Sequence, residues 1–99
     1  MLTRCAAVDL AADGIRVNAV NPGLVITELQ KRGGLDDKAY ASLVQRSIDH
    51  THPLARYRGR CADPLEVADL IAFLASDRAG FITGECIAID GARQCLGAR

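Results

Sequence analysis

Three observations place this chain in the α/β class, as a portion of a parallel sheet that is incomplete as a domain. First, two short apolar runs with strand character, residues 15–20 and 86–89, are separated by helix-patterned sequence. That order is a crossover and implies parallel pairing. Second, residues 37–49 and 63–76 carry apolar side chains at helical spacing behind acidic caps. Third, 99 residues make at most one small domain, and two parallel strands are fewer than a buried parallel sheet needs. The expected architecture is two parallel strands and about three helices.

Residues 1–12 read as the first helix. Leu2, Cys5, Ala6 and Leu10 recur at helical spacing in an alanine-rich stretch, and no Ser, Thr, Asp or Asn precedes the first apolar residue as a cap. The chain is thus expected to open in mid-helix. Asp13-Gly14 ends that helix, Gly14 being suited to a left-handed C′ position. In the first strand Val17, Ala19 and Val20 are apolar and Asn18 is polar. Pro22 lacks an N–H, so the strand is expected to stop at Asn21.

Residues 24–35 read as a loop hinged at Gly33-Gly34. The second helix, capped by Asp36, has a stripe of Tyr40, Leu43, Val44, Ser47 and Ile48, and residues 50–62 read as a second loop. The third helix has Asp63 as N-cap, Pro64 at N1 and Glu66 at N3 in a box-like arrangement, with Val67, Leu70, Ile71 and Leu74 as its stripe. Cys86 to Ile89 form the second strand, Asp90-Gly91 turns away from it, and residues 92–99 read as a tail. Residues 1–91 are therefore taken as the domain portion.

Composition narrows the function classes. Twelve Lys and Arg balance 12 Asp and Glu, and no basic stripe is interleaved with aromatics, so nucleic acid is not an expected partner. The densest basic stretch, Arg56, Arg58 and Arg60 around Tyr57, reads as a solvated loop rather than an anion grip. No apolar run approaches the ~18–20 residues of a membrane span. Cys5, Cys61, Cys86 and Cys95 form no C-x-x-C pair, and no signal peptide is visible. Three disulfide pairings are conceivable, but free thiols in a reducing, cytoplasmic compartment are the expected state. Cys5 and Cys86 sit in apolar contexts and are expected to be small core residues. His50-Thr51-His52 lacks a carboxylate or thiol at recognised metal spacing and reads as a polar loop.

Four motifs stand in order along the chain. They are Gly14-Ile15-Arg16-Val17-Asn18 leading into Asn21-Pro22-Gly23, then Pro53-Leu54 followed by Pro64-Leu65-Glu66-Val67-Ala68, then Phe73-Leu74-Ala75-Ser76-Asp77, and Thr83-Gly84 with Asp90-Gly91. Together they resemble the C-terminal part of a short-chain dehydrogenase/reductase, of the carbonyl and beta-ketoacyl carrier-protein reductase kind. The resemblance implies a Rossmann-type fold and an NAD- or NADP-dependent oxidoreductase that moves hydride between the nicotinamide and a small carbonyl or alcohol. It also places Pro22, Gly23, Val25 and Thr27 beside the nicotinamide ring as cofactor-binding residues. Gly23 would admit a flat ring close to backbone, the Val25 N–H and C=O would pair with the carboxamide, and the Thr27 hydroxyl would hold the same group or a phosphate oxygen. Residues 29–54 correspond to the family's variable substrate-binding region, in which Tyr40, Leu43 and Val44 read as helix core.

Other parts of the family pattern have no counterpart here. Gly33-Gly34 follows no strand and does not match the glycine-rich dinucleotide turn. The family's catalytic tyrosine precedes a lysine by four positions, but Tyr40 is followed there by Val44 and Tyr57 by Cys61. No catalytic residue and no metal ligand is assigned, and the 99 residues alone are expected to be inactive. Ala92 stands where a second glycine is expected after Asp90-Gly91, so the tail is expected to leave the strand by a different path.

Two other readings stand beside the enzyme portion. In one, the chain is a non-catalytic truncated paralogue that docks onto a full-length relative through its first strand and third helix, with homo-oligomer formation as a further possibility for the parent. In the other, Met1 is an internal methionine of a longer frame.

Overall fold

A computed structural model describes residues 1–27, 33–34 and 36–97. Four α-helices and two strands lie among them: α1 (Leu2–Leu10), β1 (Ala19–Pro22), α2 (Asp37–Arg46), α3 (Pro53–Arg58), α4 (Pro64–Ala75) and β2 (Cys86–Ile89). The strands pair in parallel, with Ala19 opposite Cys86 and Pro22 opposite Ile89. The chain is an α/β portion with a two-stranded parallel sheet, as expected. No helix among the described residues is long and apolar enough to cross a membrane. The loop expected over 24–35 falls partly on residues 28–32 and 35, outside the described residues.

The first strand is offset from its expected position, and the reason is side-chain chemistry. Residues 15–18 are joined to the segment before β2 by one main-chain bond, from the Gly84 N–H to the Val17 carbonyl (2.7 Å), and by side-chain surrogates for further ladder bonds. The Val17 N–H donates to Thr83 Oγ1 (3.0 Å), the Asn18 amide donates to the Ile82 carbonyl (3.0 Å), and Asn18 Oδ1 accepts from the Glu85 N–H (3.1 Å). Regular pairing begins at Ala19, whose N–H donates to the Glu85 carbonyl at 2.8 Å. At the other end Pro22 remains within β1, contrary to the expected stop at Asn21. The N–H groups of Ala19 and Gly23 both point to β2, so every second residue donates there and the missing Pro22 N–H lies on the opposite edge. Proline is therefore tolerated at this register.

Each helix follows its local signals. The α1 helix begins without a side-chain cap and tightens into a 3-10 turn, Ala11–Asp13, closed by Gly14 at φ 73°. The Asp36 side chain caps α2 at the Ala39 N–H (2.7 Å). A capping box at Asp63 and Glu66 starts α4 with Pro64 in its first turn. The second helix, expected to run to residue 49, gives way after Arg46 to a π-helical turn, Ser47–Thr51, and the expected loop at 50–62 holds α3, closed by the left-handed Gly59. Pro53 stands in the first turn of α3, and this six-residue helix is too short for periodicity to show.

The buried apolar residues are small apart from Leu74: Ala7, Ala55, Cys61 and Ala79. Cys5 and Cys86 are exposed and Cys61 is buried, which reverses the expectation for the first two. Leu2 and Val8, on the same helix as Cys5, are likewise exposed, at 84 and 77%. Arg56, Tyr57 and Arg60 are exposed as expected, but Arg56 and Arg58 lie in α3 rather than a loop, and Arg58 and Arg60 both converge on the Glu66 carboxylate, at 2.6 and 2.9 Å.

Candidate cofactor turn

Pro22, Gly23, Val25 and Thr27 lie in order where β1 leaves the sheet. Pro22 is exposed and the other three are half-buried. This is the C-terminal end of the parallel strands, the end at which open α/β sheets take ligands. Three amide hydrogens of the stretch are engaged inside the chain. Gly23 N–H donates to the Ile89 carbonyl (3.1 Å), Leu24 N–H to His52 Nε2 (3.0 Å) and Ile26 N–H to the Ala62 carbonyl (2.9 Å).

Val25 is different. It forms an isolated parallel bridge with Ala62, and that bridge uses the Ile26 N–H beside it. In parallel geometry the bridged residue's own N–H and C=O then point to the other edge. The Thr27 carbonyl accepts the Tyr40 hydroxyl at 3.2 Å, so α2 anchors the far end of the turn.

Gly23 is a glycine for a reason the sequence did not disclose. A Cβ built there would lie 2.7 Å from His52 Nε2 and 2.9 Å from Asp90 Cβ. The space that its missing side chain leaves is filled by those two residues.

His52 is the residue that sequence reasoning missed. It is buried, at 6% exposure, and not part of a polar loop. Its N–H donates to the Ser47 carbonyl (3.0 Å) and its Nδ1 lies 2.8 Å from Thr51 Oγ1. Because Nε2 accepts from Leu24, the neutral ring carries its proton on Nδ1 and donates it to Thr51. Burial and the nearby Arg93 cation hold its pKa below the ordinary histidine value, against the Ser47 carbonyl and the Asp90 carboxylate. The sequence held one signal, a His directly before Pro53, which does not show where the ring points. Among the described residues no group of three His, Cys, Asp or Glu is placed to hold a metal ion.

Two concavities are lined by Leu24 and His52. One, of about 520 Å³, is walled by Pro22, Gly23, Leu24, Leu43, Arg46 and Arg93. The other, of about 480 Å³, lies between Leu24, Ala62 and the end of β2, with the Arg58–Glu66 cluster on its wall.

Residues 1–92 match the family described as Enoyl-(Acyl carrier protein) reductase. A cis-4-hydroxycyclohexanecarboxylate dehydrogenase of Sinomonas cyclohexanicum is 49% identical over 90 residues, covering 91% of this chain and 32% of that protein. A galactitol 2-dehydrogenase (L-tagatose-forming) of Cereibacter sphaeroides is 40% identical, again over 91% of this chain and 32% of its own length. The crystal structure of a short-chain dehydrogenase/reductase of Caenorhabditis elegans, solved with cofactor, superposes with a TM-score of 0.84 at 34% identity, covering 96% of this chain and 35% of that one. The chain thus spans about a third of the length of the relatives it matches. On the match over residues 1–92 and these relatives, the chain belongs to the short-chain dehydrogenase/reductase family.

Proposed function

We propose that these residues form the nicotinamide-side wall of an NAD- or NADP-dependent oxidoreductase acting on a small carbonyl or alcohol. The observation that carries this reading is the outward-facing peptide edge of Val25 at the C-terminal end of the parallel strands. A carboxamide presents both a donor and an acceptor, and the Val25 N–H and C=O offer the complementary pair. Thr27 adds a hydroxyl two residues on, and Pro22 offers an exposed ring at the rim of the neighbouring concavity. The residues present therefore fit the ring end of the cofactor.

The nicotinamide, when bound, supplies the hydride itself. This chain's part is to orient it: fixing which ring face meets the substrate is worth several kcal/mol in such transfers. Gly23 contributes indirectly, by letting His52 and Asp90 pack beneath the turn. Both relatives named above are dehydrogenases of hydroxylated compounds by their names, which favours an alcohol–carbonyl pair as the substrate class. Neither tyrosine is followed by a lysine four residues on, so the 99 residues alone are proposed to be inactive.

Titration of the chain with NADPH and NADH, followed by amide resonances, tests the reading. The Val25 and Thr27 amides are expected to move with saturation, and Thr27→Ala to weaken binding by roughly fivefold. Shifts confined to other segments would overturn it. Turnover of small ketones above background would overturn the proposed inactivity.

A second reading is docking onto a full-length relative, and the exposed apolar faces favour it. Leu65, Ile71 and Phe73 of α4 and the neighbouring Phe81 are exposed at 66, 49, 39 and 103%. Co-purification with such a relative would support this reading, and isolation as a stable folded monomer would overturn it.

A further inference from the structure

We infer that His52 is a positioning residue that clamps the turn at Gly23 and Leu24 through the Leu24 N–H, and that it does so only as the neutral ring protonated on Nδ1. The inference rests on the reading of residues 22–27 as the cofactor turn for its functional meaning, but not for its geometry.

Two contacts carry it. Nε2 accepts from the Leu24 N–H at 3.0 Å, and the same atom is the nearest neighbour of the position a Gly23 Cβ would take. The ring therefore touches two consecutive residues of the turn, directly ahead of Val25. A protonated ring has two N–H donors and no acceptor, so Nε2–H would meet Leu24 N–H donor to donor. Loss of that bond frees the turn at its centre while the Gly23 bond to Ile89 and the Ile26 bond to Ala62 stay in place.

The charged surroundings can be counted. Arg93, beyond β2, disfavours a second cation at His52, and Asp90 favours one. Arg46 of α2 lines the concavity shared with His52 and Arg93. Asp49 and His50 from the π turn and Arg56 of α3 line a further concavity that His52 also lines. Arg58, Arg60 and Glu66 share the third concavity but pair with one another. Burial acts in the same direction as Arg93, keeping the ring neutral near physiological pH. The clamp is therefore closed at neutral pH and opens on acidification below the ordinary histidine range.

The test is residue-resolved hydrogen exchange on the chain, expressed as protection relative to an unstructured peptide, from about pH 7.5 to about pH 4.5. Protection of the Leu24 amide is expected to fall roughly tenfold across that range, while Gly23 and Ile26 amides keep theirs. His52→Gln, which can place an amide oxygen where Nε2 stands and does not titrate, is expected to keep Leu24 protected at every pH. His52→Phe is expected to leave Leu24 unprotected throughout. Protection of Leu24 that is absent or flat with pH in the unaltered chain, or unchanged in His52→Phe, would overturn the clamp. A NADPH titration run alongside separates the two ideas. Leu24 protection that follows His52, with no movement of Val25 or Thr27 amides on adding NADPH, would support the clamp and reject only the cofactor reading.

Discussion

The guanidinium of Arg16 donates to the main-chain carbonyl of Leu74 at 2.7 Å, joining the approach to β1 with the last turn of α4 across 58 positions of sequence. The same group donates to Ser76 O at 3.1 Å and Ile82 O at 3.4 Å. A helix C-terminus has carbonyls with no partner of their own, and a cation there also complements the helix dipole. Arg16→Ala is expected to destabilise the fold by about 2–3 kcal/mol, because part-buried carbonyls lose a charged donor. Arg16→Lys should recover only a fraction, since an ammonium cannot reproduce the fork. Chemical denaturation of the three forms, with equal slopes, checks the order.

Gly23 lies against the Nε2–Cδ2 edge of the His52 ring and against Asp90, so Gly23→Ala must displace one or both. Backbone conformation is not the obstacle, since Gly23 is not among the glycines with positive φ. The expected loss is about 2 kcal/mol, as for overpacking of a close contact. The partner substitution separates the two contacts: in a His52→Ala background the added methyl should cost less, the Asp90 contact remaining. Equal losses in both backgrounds would refute steric conflict with His52.

Ala92 adopts φ 73°, the left-handed conformation that the sequence reading reserved for a glycine. Two bonds hold it there: Asp90 accepts from the Ala92 N–H and from the Gln94 N–H, each at 3.0 Å. The tail thus follows the tight turn despite the alanine. Ala92→Gly is expected to raise stability by about 0.5–1 kcal/mol, the Cβ penalty relieved less the entropy of a freer unfolded chain. A higher melting temperature with an unchanged Asp90 network is the expected result.

The Glu66 carboxylate is pushed down to about 2 by its bonds to Arg58 and then Arg60. Its pKa is lower folded than unfolded, so the folded state binds its proton less readily. The stabilisation is complete above the ordinary value of 4.5 and is lost as pH falls toward about 2. Glu66→Gln should therefore be less stable than the parent at neutral pH, with the gap closing across that acid window. A gap independent of pH would contradict the assignment.

Cys61 is buried and burial pushes its thiol pKa up, whereas Cys5, Cys86 and Cys95 are exposed. Alkylation of the native chain is expected to modify three thiols promptly and the fourth only on unfolding, because the thiolate is the reacting form. Peptide mapping should identify the protected site as Cys61.

The elements that announced themselves did so through local chemistry. The Asp63–Glu66 box, the Asp36 cap, the left-handed Gly14 and the four residues of β2 can be read from neighbours in sequence, because their causes lie within a turn or two. The family motifs likewise marked the turn after β1 as the place to look for a ligand. What the chain could not disclose by itself was long-range. Asn18 and Thr83 standing in for ladder bonds, Pro22 surviving on the free edge of β1, and His52 reaching back to Leu24 all depend on segments 28 to 67 positions apart. Periodicity records which face of an element is apolar. It carries no information about which distant donor meets which acceptor, and that is decided only when the sheet, the π turn and the helices pack together.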